Sequence, residues 1–207
     1  MKVEISKDKL QGVVNKASRL AGKHLSLPIL SHILLTAKRG ELVVRATNLD
    51  IGVEYTLPAK VEQEGAAAVP AGVFSAFISN LGSARGVSLE ETKEKVTVRA
   101  AGATAVINRA GSDDFPTIPK ISEDKQSFST PADYLAGALR AVSYSAAASL
   151  VKPEISSVCV YNHQGEVAIV ATDSFRLAEK VFPPALKIKL NSPHLIIPIR
   201  NITEIIR

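Results

Sequence analysis

The sequence predicts an α+β fold in which one unit of helices and antiparallel strands occurs twice. Three observations predict it. The chain of 207 residues is longer than one average domain, and its composition, with 46% hydrophobic and 22% charged residues, is typical of a globular protein. Residues 41–47 resemble residues 166–172 at a spacing of 125, which also relates Leu10 to Leu135. Alternating strand patterns and helical patterns follow each other in the same order in both halves.

The first unit begins with a short alternating strand at residues 3–5 and continues into a helix. Apolar residues on that helix recur at i, i+3, i+4 and i+7, which places Leu10, Val13, Val14, Ala17 and Leu20 on one face. A second helix begins after Pro70, with Val73, Phe74, Phe77, Ile78 and Leu81 as its apolar stripe. Six strands are predicted around it, at residues 33–37, 41–46, 52–57, 87–90, 95–100 and 103–109.

The second unit repeats this order. It begins with a strand at residues 128–130, and a helix follows. The Thr130 hydroxyl is expected to cap this helix, and Pro131 is expected to lie in its first turn. Tyr134, Leu135, Ala138, Leu139 and Val142 share one face of this helix. A turn at 162–165 is predicted between a strand around Cys159 and a strand at 166–172. A helix is predicted after Pro198, and Ile202, Ile205 and Ile206 form its apolar stripe.

The connector at residues 111–119 carries two prolines and the acidic pair Asp113-Asp114, which is typical of an ordered linker. We therefore expect two domains, 1–122 and 123–207. The first unit has three strands after its second helix, whereas the second unit stops inside that helix. The sequence predicts that the chain is a fragment, or an incompletely determined sequence, of a longer protein.

Composition and motifs exclude several function classes. One cysteine excludes an internal disulfide and a cysteine-based zinc cluster, and the four histidines lack metal-ligand spacing. No Walker, Gly-x-Gly-x-x-Gly or Gly-x-Ser-x-Gly pattern is present. The apolar runs are too short for a bilayer, and the first residues lack the apolar segment of a signal peptide. We expect a cytoplasmic protein with no membrane contact, no cofactor, no metal and no catalytic site.

Basic residues give the one positive indication of function. The net charge is +5, which permits an anionic partner. Lys9, Lys16 and Lys23 recur every seven residues along the first helix and form one stripe, flanked by Asn15 and Arg19. On the pattern alone, this stripe is equally well a solvated face or a sequence-independent track for a phosphate backbone.

Several motifs resemble the bacterial sliding clamps, the beta subunits of DNA polymerase III. They are residues 27–35, Ala46-Thr47-Asn48-Leu49-Asp50, Val69-Pro70-Ala71, Asp114-Phe115-Pro116 and residues 171–178. The resemblance implies DNA-clamp (processivity-fold) repeats, each with two helices packed on antiparallel sheets. It also implies three such domains per chain and a head-to-tail homodimer ring around double-stranded DNA. The chain would cover the first domain and roughly two thirds of the second.

The resemblance also implies two sets of site residues. DNA contacts would come from Lys16, Lys23, His24, Lys152 and Arg200. A pocket for partner peptides would be formed by Ile155, Thr172, Ser174, Phe175, Arg176 and Leu177. Ser174-Phe175 stands where the family usually has Gly-His, so we expect a bulkier and more apolar pocket. Pro153-Glu154 and Gly72 replace tyrosines and a basic residue that are common in the family.

The function expected from the resemblance is a non-catalytic processivity factor. Its partners would be the replicative DNA polymerase, the clamp loader and other proteins that carry clamp-binding motifs. Two alternatives stay open: a hydrolase or other enzyme on an α+β repeat, and a DNA-independent protein-interaction scaffold. The alternating strand at 103–109 is the expected ring edge, and we expect this chain alone to be monomeric or weakly associating.

Overall fold

The computed structural model describes residues 1–22, 27–82, 84–119, 129–149, 151–164, 166–183 and 194–206. The chain divides into two compact units, Met1–Pro119 (unit 1) and Lys120–Arg207 (unit 2). The expected domain boundary near residue 122 lies outside the described residues and stays a prediction. Within the described part of the chain, no helix has the length and apolar character needed to cross a membrane.

The described residues of unit 1 form two α-helices, a short 3-10 helix (Pro28–Ser31) and two antiparallel sheets. The helices are α1 (Lys7–Leu20) and α2 (Ala71–Asn80). One sheet has the order β5-β1-β7-β8-β9 and the other β4-β3-β2-β6. The strands are β1 (Lys2–Ser6), β2 (His32–Lys38), β3 (Glu41–Thr47), β4 (Gly52–Pro58), β5 (Lys60–Gln63), β6 (Gly65–Pro70), β7 (Gly86–Glu91), β8 (Lys95–Ala100) and β9 (Ala103–Asn108).

Both helices and both sheets contribute to one hydrophobic core. Four of the five residues in the predicted α1 stripe are buried, and Val13 packs against them from the edge. Phe74 and Ile78 of the predicted α2 stripe are buried. Val73 is 57% exposed, so its predicted core position is wrong. Val73 lies with the exposed Gly72 on the solvent side of α2, between the buried Ala71 and Phe74.

The sequence patterns missed β5 and β6. Strand β6 reads Gly-Ala-Ala-Ala-Val-Pro, and glycine and alanine are poor strand formers. It forms because it pairs with β2 over six consecutive positions, from Ala37↔Gly65 to His32↔Pro70. Tertiary pairing therefore overrides local preference, and burial of Ala67, Ala68 and Val69 completes the sheet.

Unit 2 repeats one half of unit 1. Its elements are α3 (Ala132–Ser143), β10 (Ser157–His163), β11 (Glu166–Thr172), β12 (Leu177–Val181), β13 (His194–Pro198) and α4 (Ile199–Ile205). The sheet order β12-β11-β10-β13 is equivalent to β4-β3-β2-β6. The register agrees as well, since Ser157↔Pro198 corresponds to His32↔Pro70. The predicted internal repeat is confirmed.

Three expectations for unit 2 are wrong in whole or in part. Ser129 and Thr130 belong to no strand, and Phe128 lies outside the described residues. The N-cap of α3 is Pro131, so the Thr130 hydroxyl lies one residue too early to cap the helix, and its buried oxygen has no hydrogen-bond partner. In α4, Ile202 is buried and Ile205 is half exposed, so only part of the predicted stripe faces the core.

Candidate DNA-facing helices and peptide-binding turn

The exposed face of α1 carries the basic residues that the sequence singles out. Lys9 and Lys16 are exposed, two helical turns apart, on the side opposite the buried Leu10, Val14 and Ala17. Arg19 adds a third exposed cation in the last turn. Lys23 and His24, the other expected DNA contacts of this unit, lie outside the described residues. The described part of this face can attract a polyanion without reading its sequence.

Asn15 has a different role from the expected one. Its side-chain oxygen accepts hydrogen bonds from the Ser75 hydroxyl at 3.0 Å and the Ser79 hydroxyl at 3.1 Å, both on α2. Ser18 adds a hydroxyl contact to Ser75 at 3.4 Å. Asn15 therefore joins the two helices and does not belong to the lysine stripe. This contact aligns α1 with α2, whose ten residues carry no charge.

The expected DNA contacts of unit 2 lie on two separate elements. Lys152 is exposed in the turn that precedes β10, and Arg200 is exposed at the start of α4. Arg140, which the sequence analysis missed, is exposed on α3, and its guanidinium donates to the Ile206 carbonyl at the end of α4 at 3.0 Å. Position 140 lies off the apolar stripe of α3, and that is the signal that could have identified it.

The turn between β11 and β12 contains most of the expected peptide-pocket residues. The Thr172 hydroxyl donates to the Arg176 carbonyl at 2.8 Å and accepts from the Ser174 amide at 3.1 Å. The Asp173 carboxylate accepts from the amides of Phe175 and Arg176 at 3.0 and 2.9 Å. Side chains thus satisfy the turn's backbone groups from inside.

Unit 1 forms the same turn between β3 and β4. The Thr47 hydroxyl donates to the Ile51 carbonyl, and the Asn48 side-chain oxygen accepts from the amides of Asp50 and Ile51. Leu49 and Ser174 both have left-handed backbone conformations, with φ of 75° and 77°. The Ala-Thr-Asn and Ala-Thr-Asp motifs therefore encode one turn geometry in both units.

Charges hold the Arg176 side chain in place. Its Nε donates to the Asp173 carboxylate at 2.9 Å, and its guanidinium lies 5.7 Å from the ring centre of Tyr144. The hydrogen bonds from the backbone amides of Arg176 and Phe175, together with the guanidinium charge, hold the pKa of Asp173 below its usual range. The carboxylate therefore stays ionised, and keeps its contacts in the turn, to a lower pH than an ordinary aspartate would.

The turn presents apolar side chains to solvent. Phe175 is 98% exposed, Leu177 65% and Tyr144 62%, whereas Ile155 and Thr172 are partly buried. The sequence missed Tyr144, although its position off the apolar stripe of α3 is the signal that marks it as exposed. Exposed apolar side chains around an ordered turn are typical of a protein-binding surface.

The remaining candidate chemistry is sparse. Among the residues that the structure describes, no three His, Cys, Asp or Glu side chains are grouped closely enough to hold a metal ion. Burial raises the pKa of the Cys159 thiol, so this thiol is less ionised at neutral pH than a free cysteine.

Known proteins match this arrangement along the whole chain. The family model described as "DNA polymerase III beta subunit, N-terminal domain" matches residues 1–119. The beta sliding clamp of Chlamydia pneumoniae is 27% identical over 207 residues, which is 100% of this chain and 56% of that protein. The chain thus spans about half the length of the relatives it matches.

Solved structures agree with this match. The DNA polymerase sliding clamp from Bacillus subtilis superposes with a TM-score of 0.88 at 26% identity, covering 99% of this chain and 55% of that one. The DNA polymerase III beta subunit from Pseudomonas aeruginosa gives 0.90 at 21% identity, covering 100% and 56%. The Pseudomonas aeruginosa sliding clamp bound to griselimycin gives 0.88 at 20% identity, with the same coverage. The chain belongs to the family of the DNA polymerase III beta subunit, the bacterial sliding clamps.

Proposed function

We propose that the chain is part of a non-catalytic sliding clamp that encircles duplex DNA and confers processivity on the replicative DNA polymerase. The observation that carries the proposal is the match of both units to sliding clamps over the whole chain. A closed ring cannot leave DNA sideways, so weak and salt-screened phosphate contacts are sufficient and sliding stays easy. We place the protein in the cytoplasm, where it meets the chromosome, and we divide it into domains 1–122 and 123–207.

The DNA-facing surface in this proposal is the exposed side of the helices. Lys16, Lys23, His24, Lys152 and Arg200 would contact phosphates, together with the exposed Lys9 and Arg140. Exposed lysines on one helix face suit a backbone contact because they are flexible point charges that need no fixed geometry.

The partner site in this proposal is the turn at 172–177 with Ile155 and Tyr144. A partner peptide with a terminal Leu or Phe would pack its apolar side chain against Leu177 and Phe175, while Arg176 contributes its stem and charge. The polymerase, the clamp loader and other motif-carrying proteins would dock here. The related Pseudomonas aeruginosa clamp binds griselimycin, which supports a ligand site on this class of protein.

Ring closure in this proposal uses strand β9. It lies at the edge of the sheet β5-β1-β7-β8-β9, and its Val106 side chain is 59% exposed while Ile107 points into the core. An edge strand of this kind can pair with a strand of another chain in a head-to-tail homodimer. The comparisons do not favour the alternative of a DNA-independent scaffold.

DNA association tests the first half of the proposal. Changing Lys9 and Lys16 to Gln should weaken binding of a duplex at low salt to a similar degree for unrelated sequences. The slope of log affinity against log salt should fall by about one for each lost contact. Lys38 and Lys95, which are exposed on strands, provide the charge-matched control. An unchanged slope in the helix variant, or an equal loss in the control, would contradict the DNA-facing assignment.

Peptide binding tests the second half. The 15N-labelled chain is titrated with a short peptide that ends in Leu-Phe, and amide shifts are mapped. We expect shifts at residues 155 and 172–177, and the L177S variant should bind about tenfold more weakly. L195S, which truncates another exposed leucine on β13, is the control. Shifts confined to unit 1 would overturn the site.

A further inference from the structure

Two clefts adjoin on the solvent side of the five-stranded sheet of unit 1. The first has a volume of about 480 Å³ and reaches the turn between β8 and β9. The second has a volume of about 670 Å³ and reaches the connection between β4 and β5. Both are lined by Glu4 and Gly86, so they form one groove, which we call the unit 1 groove. Its polar and charged side chains include Lys60, Arg85, Glu4, Ser88, Arg99 and Thr104.

The strand registers place most of these side chains in one row. Lys60 pairs with Glu4, and Glu4 pairs with Ser88. Ser88 pairs in turn with Arg99, and Arg99 with Thr104. The row therefore crosses the sheet from β5 to β9 instead of following one strand. Because neighbouring strands lie about 4.8 Å apart, the backbones of Lys60 on β5 and Arg99 on β8 are roughly 14 Å apart.

The cations lie towards the two ends of the groove, and a carboxylate lies between them. At one end, the Arg85 side chain makes no ion pair or hydrogen bond with a residue that the structure describes, and Lys60 lies beside it in the same cleft. At the other end, Nη1 of Arg99 donates to Glu90 at 2.6 Å. A guanidinium has five N–H donors, so Arg99 can bind a second carboxylate. Glu4, in the middle, accepts from Lys60 at 3.3 Å.

Gly86 keeps the middle of the groove open. It pairs with Ser6 and precedes the buried Val87, so a side chain at position 86 would point to the solvent side, into the groove. A Cβ atom built there would meet the Ile5 carbonyl oxygen at 3.8 Å, which is an ordinary contact. Its φ is not positive, so the backbone does not require glycine at this position. The fold would therefore accept a side chain here, and that side chain would fill the groove.

We propose that the unit 1 groove binds an extended peptide segment of a partner protein, with acidic residues four positions apart and small neutral residues between them. An extended chain advances about 3.3 Å per residue, so four residues span about 13 Å and match the separation of Lys60 and Arg99. One carboxylate pairs with Lys60 and Arg85, and the other pairs with Arg99. The small residues between them pass over Gly86 and bring no negative charge to Glu4.

The charge pattern favours a peptide over a strand of nucleic acid. A nucleic acid strand in a duplex carries one charge about every 3.4 Å along the helix axis, so it would also place negative charge over Glu4. A peptide can leave that position neutral. Neither the lysine stripe of α1 nor the turn at 172–177 lines the groove. The inference therefore goes beyond the proposed function and does not rest on it.

A pair of peptides with one composition tests the spacing. The heptapeptide Gly-Glu-Gly-Ser-Gly-Glu-Gly, blocked at both ends, is titrated into the 15N-labelled chain. We expect amide shifts at Lys60, Gly86, Ser88 and Arg99. The isomer Gly-Glu-Glu-Ser-Gly-Gly-Gly, whose two carboxylates are adjacent, should bind about fivefold more weakly, because it can reach only one end of the groove.

Two variants test the groove itself. R85Q should weaken binding of the first peptide about fivefold, whereas K93Q, which removes an exposed charge from the turn between β7 and β8, should not. G86L should abolish binding by filling the groove. G72L, which adds the same side chain at an open position on α2, is its control. Urea unfolding of G86L establishes that the variant is folded, and the comparison of R85Q with K93Q does not depend on it.

Four results would overturn the proposal. They are equal binding by wild type and R85Q, equal binding by wild type and a folded G86L, equal binding of the two peptides, and shifts confined to the lysine stripe of α1. A single-stranded oligothymidylate that displaces the peptide and shifts the same amides would assign the groove to nucleic acid instead. Each of these results leaves the proposed function intact, because the duplex salt slope and the Leu-Phe peptide report on other residues.

Discussion

Two residues with left-handed backbone, Leu49 and Ser174, hold equivalent turns. Side chains other than glycine are strained at φ near 75°, and a bulky leucine more than a serine. L49G and S174G should each raise the free energy of unfolding, by about 0.5–1 kcal/mol for Leu49 and less for Ser174. Urea unfolding measures both. G102A, at φ 83° in the turn between β8 and β9, is the reverse control and should destabilise. A lower free energy of unfolding in L49G would contradict the inference that the Leu49 backbone is strained.

Asp173 makes the unit 2 turn sensitive to acid. Its pKa is lowered in the folded chain by the amides of Arg176 and Phe175, so its contribution to stability is fully present above the unfolded pKa. That contribution is lost as pH falls through the folded pKa. Carboxyl-resolved NMR should therefore find a titration midpoint below the ordinary aspartate value, accompanied by shifts of the Phe175 and Arg176 amides.

Asn48 is the matched control, because a neutral amide makes the same contacts in unit 1. The amides of Asp50 and Ile51 should show no comparable acid transition. D173N should remove the acid sensitivity of the unit 2 turn while keeping the turn itself. An ordinary or raised midpoint for Asp173 would show that the amide contacts do not form in solution.

Residue patterns predicted these turns only in part. The sequence reveals Ala-Thr-Asn and Ala-Thr-Asp at a fixed spacing, but the hydrogen bonds made by Thr172 and Asp173 require the folded turn. Tyr144 and Arg140 were missed because the sequence analysis followed the apolar stripe of α3, and neither residue lies on that stripe. Their partners, Arg176 and Ile206, are distant in sequence and are brought close only by the fold.

At the scale of elements, Asn15 makes two of the three described side-chain hydrogen bonds between α1 and α2. N15A would leave the hydroxyls of Ser75 and Ser79 without their acceptor, so we expect a loss of about 1–2 kcal/mol in the free energy of unfolding. N80A is the control, because Asn80 bonds only within its own helix and is exposed. A double-mutant cycle with S75A should show that the two losses are not additive. Additive losses would contradict a direct contact.

Elements with strong periodicity were predictable, and elements that depend on pairing were not. The helix α1 was predictable because its apolar residues recur with the 3.6-residue period of a helix, and those same residues are the ones that the core buries. Strand β6 lacks such a signal, since Ala66, Ala67 and Ala68 form a strand only when β2 lies beside them. The strand expected at 128–130 rested on the repeat and on a short alternating pattern, and residues 129 and 130 do not form it.

At the scale of the whole chain, the two units differ in how their cores are built. In unit 1, two sheets and two helices share one core that includes Leu35, Val44 and Val98. In the described part of unit 2, one four-stranded sheet packs with α3 and α4 around Val160 and Ile169. Both arrangements follow from the same repeated sequence pattern. The sequence was sufficient to predict this repeat, because the number of residues between two matching motifs can be counted without knowing any tertiary contact.

The difference between the cores predicts two stabilities within one chain. Native-state hydrogen exchange should give higher opening free energies for Leu35, Val44 and Val98 than for Val160 and Ile169, because more apolar area surrounds the former. The amide of Ile196, on the edge strand β13, should exchange faster than either group. Equal opening free energies in the two units would indicate one cooperative body, and stronger protection in unit 2 would contradict the difference between the cores.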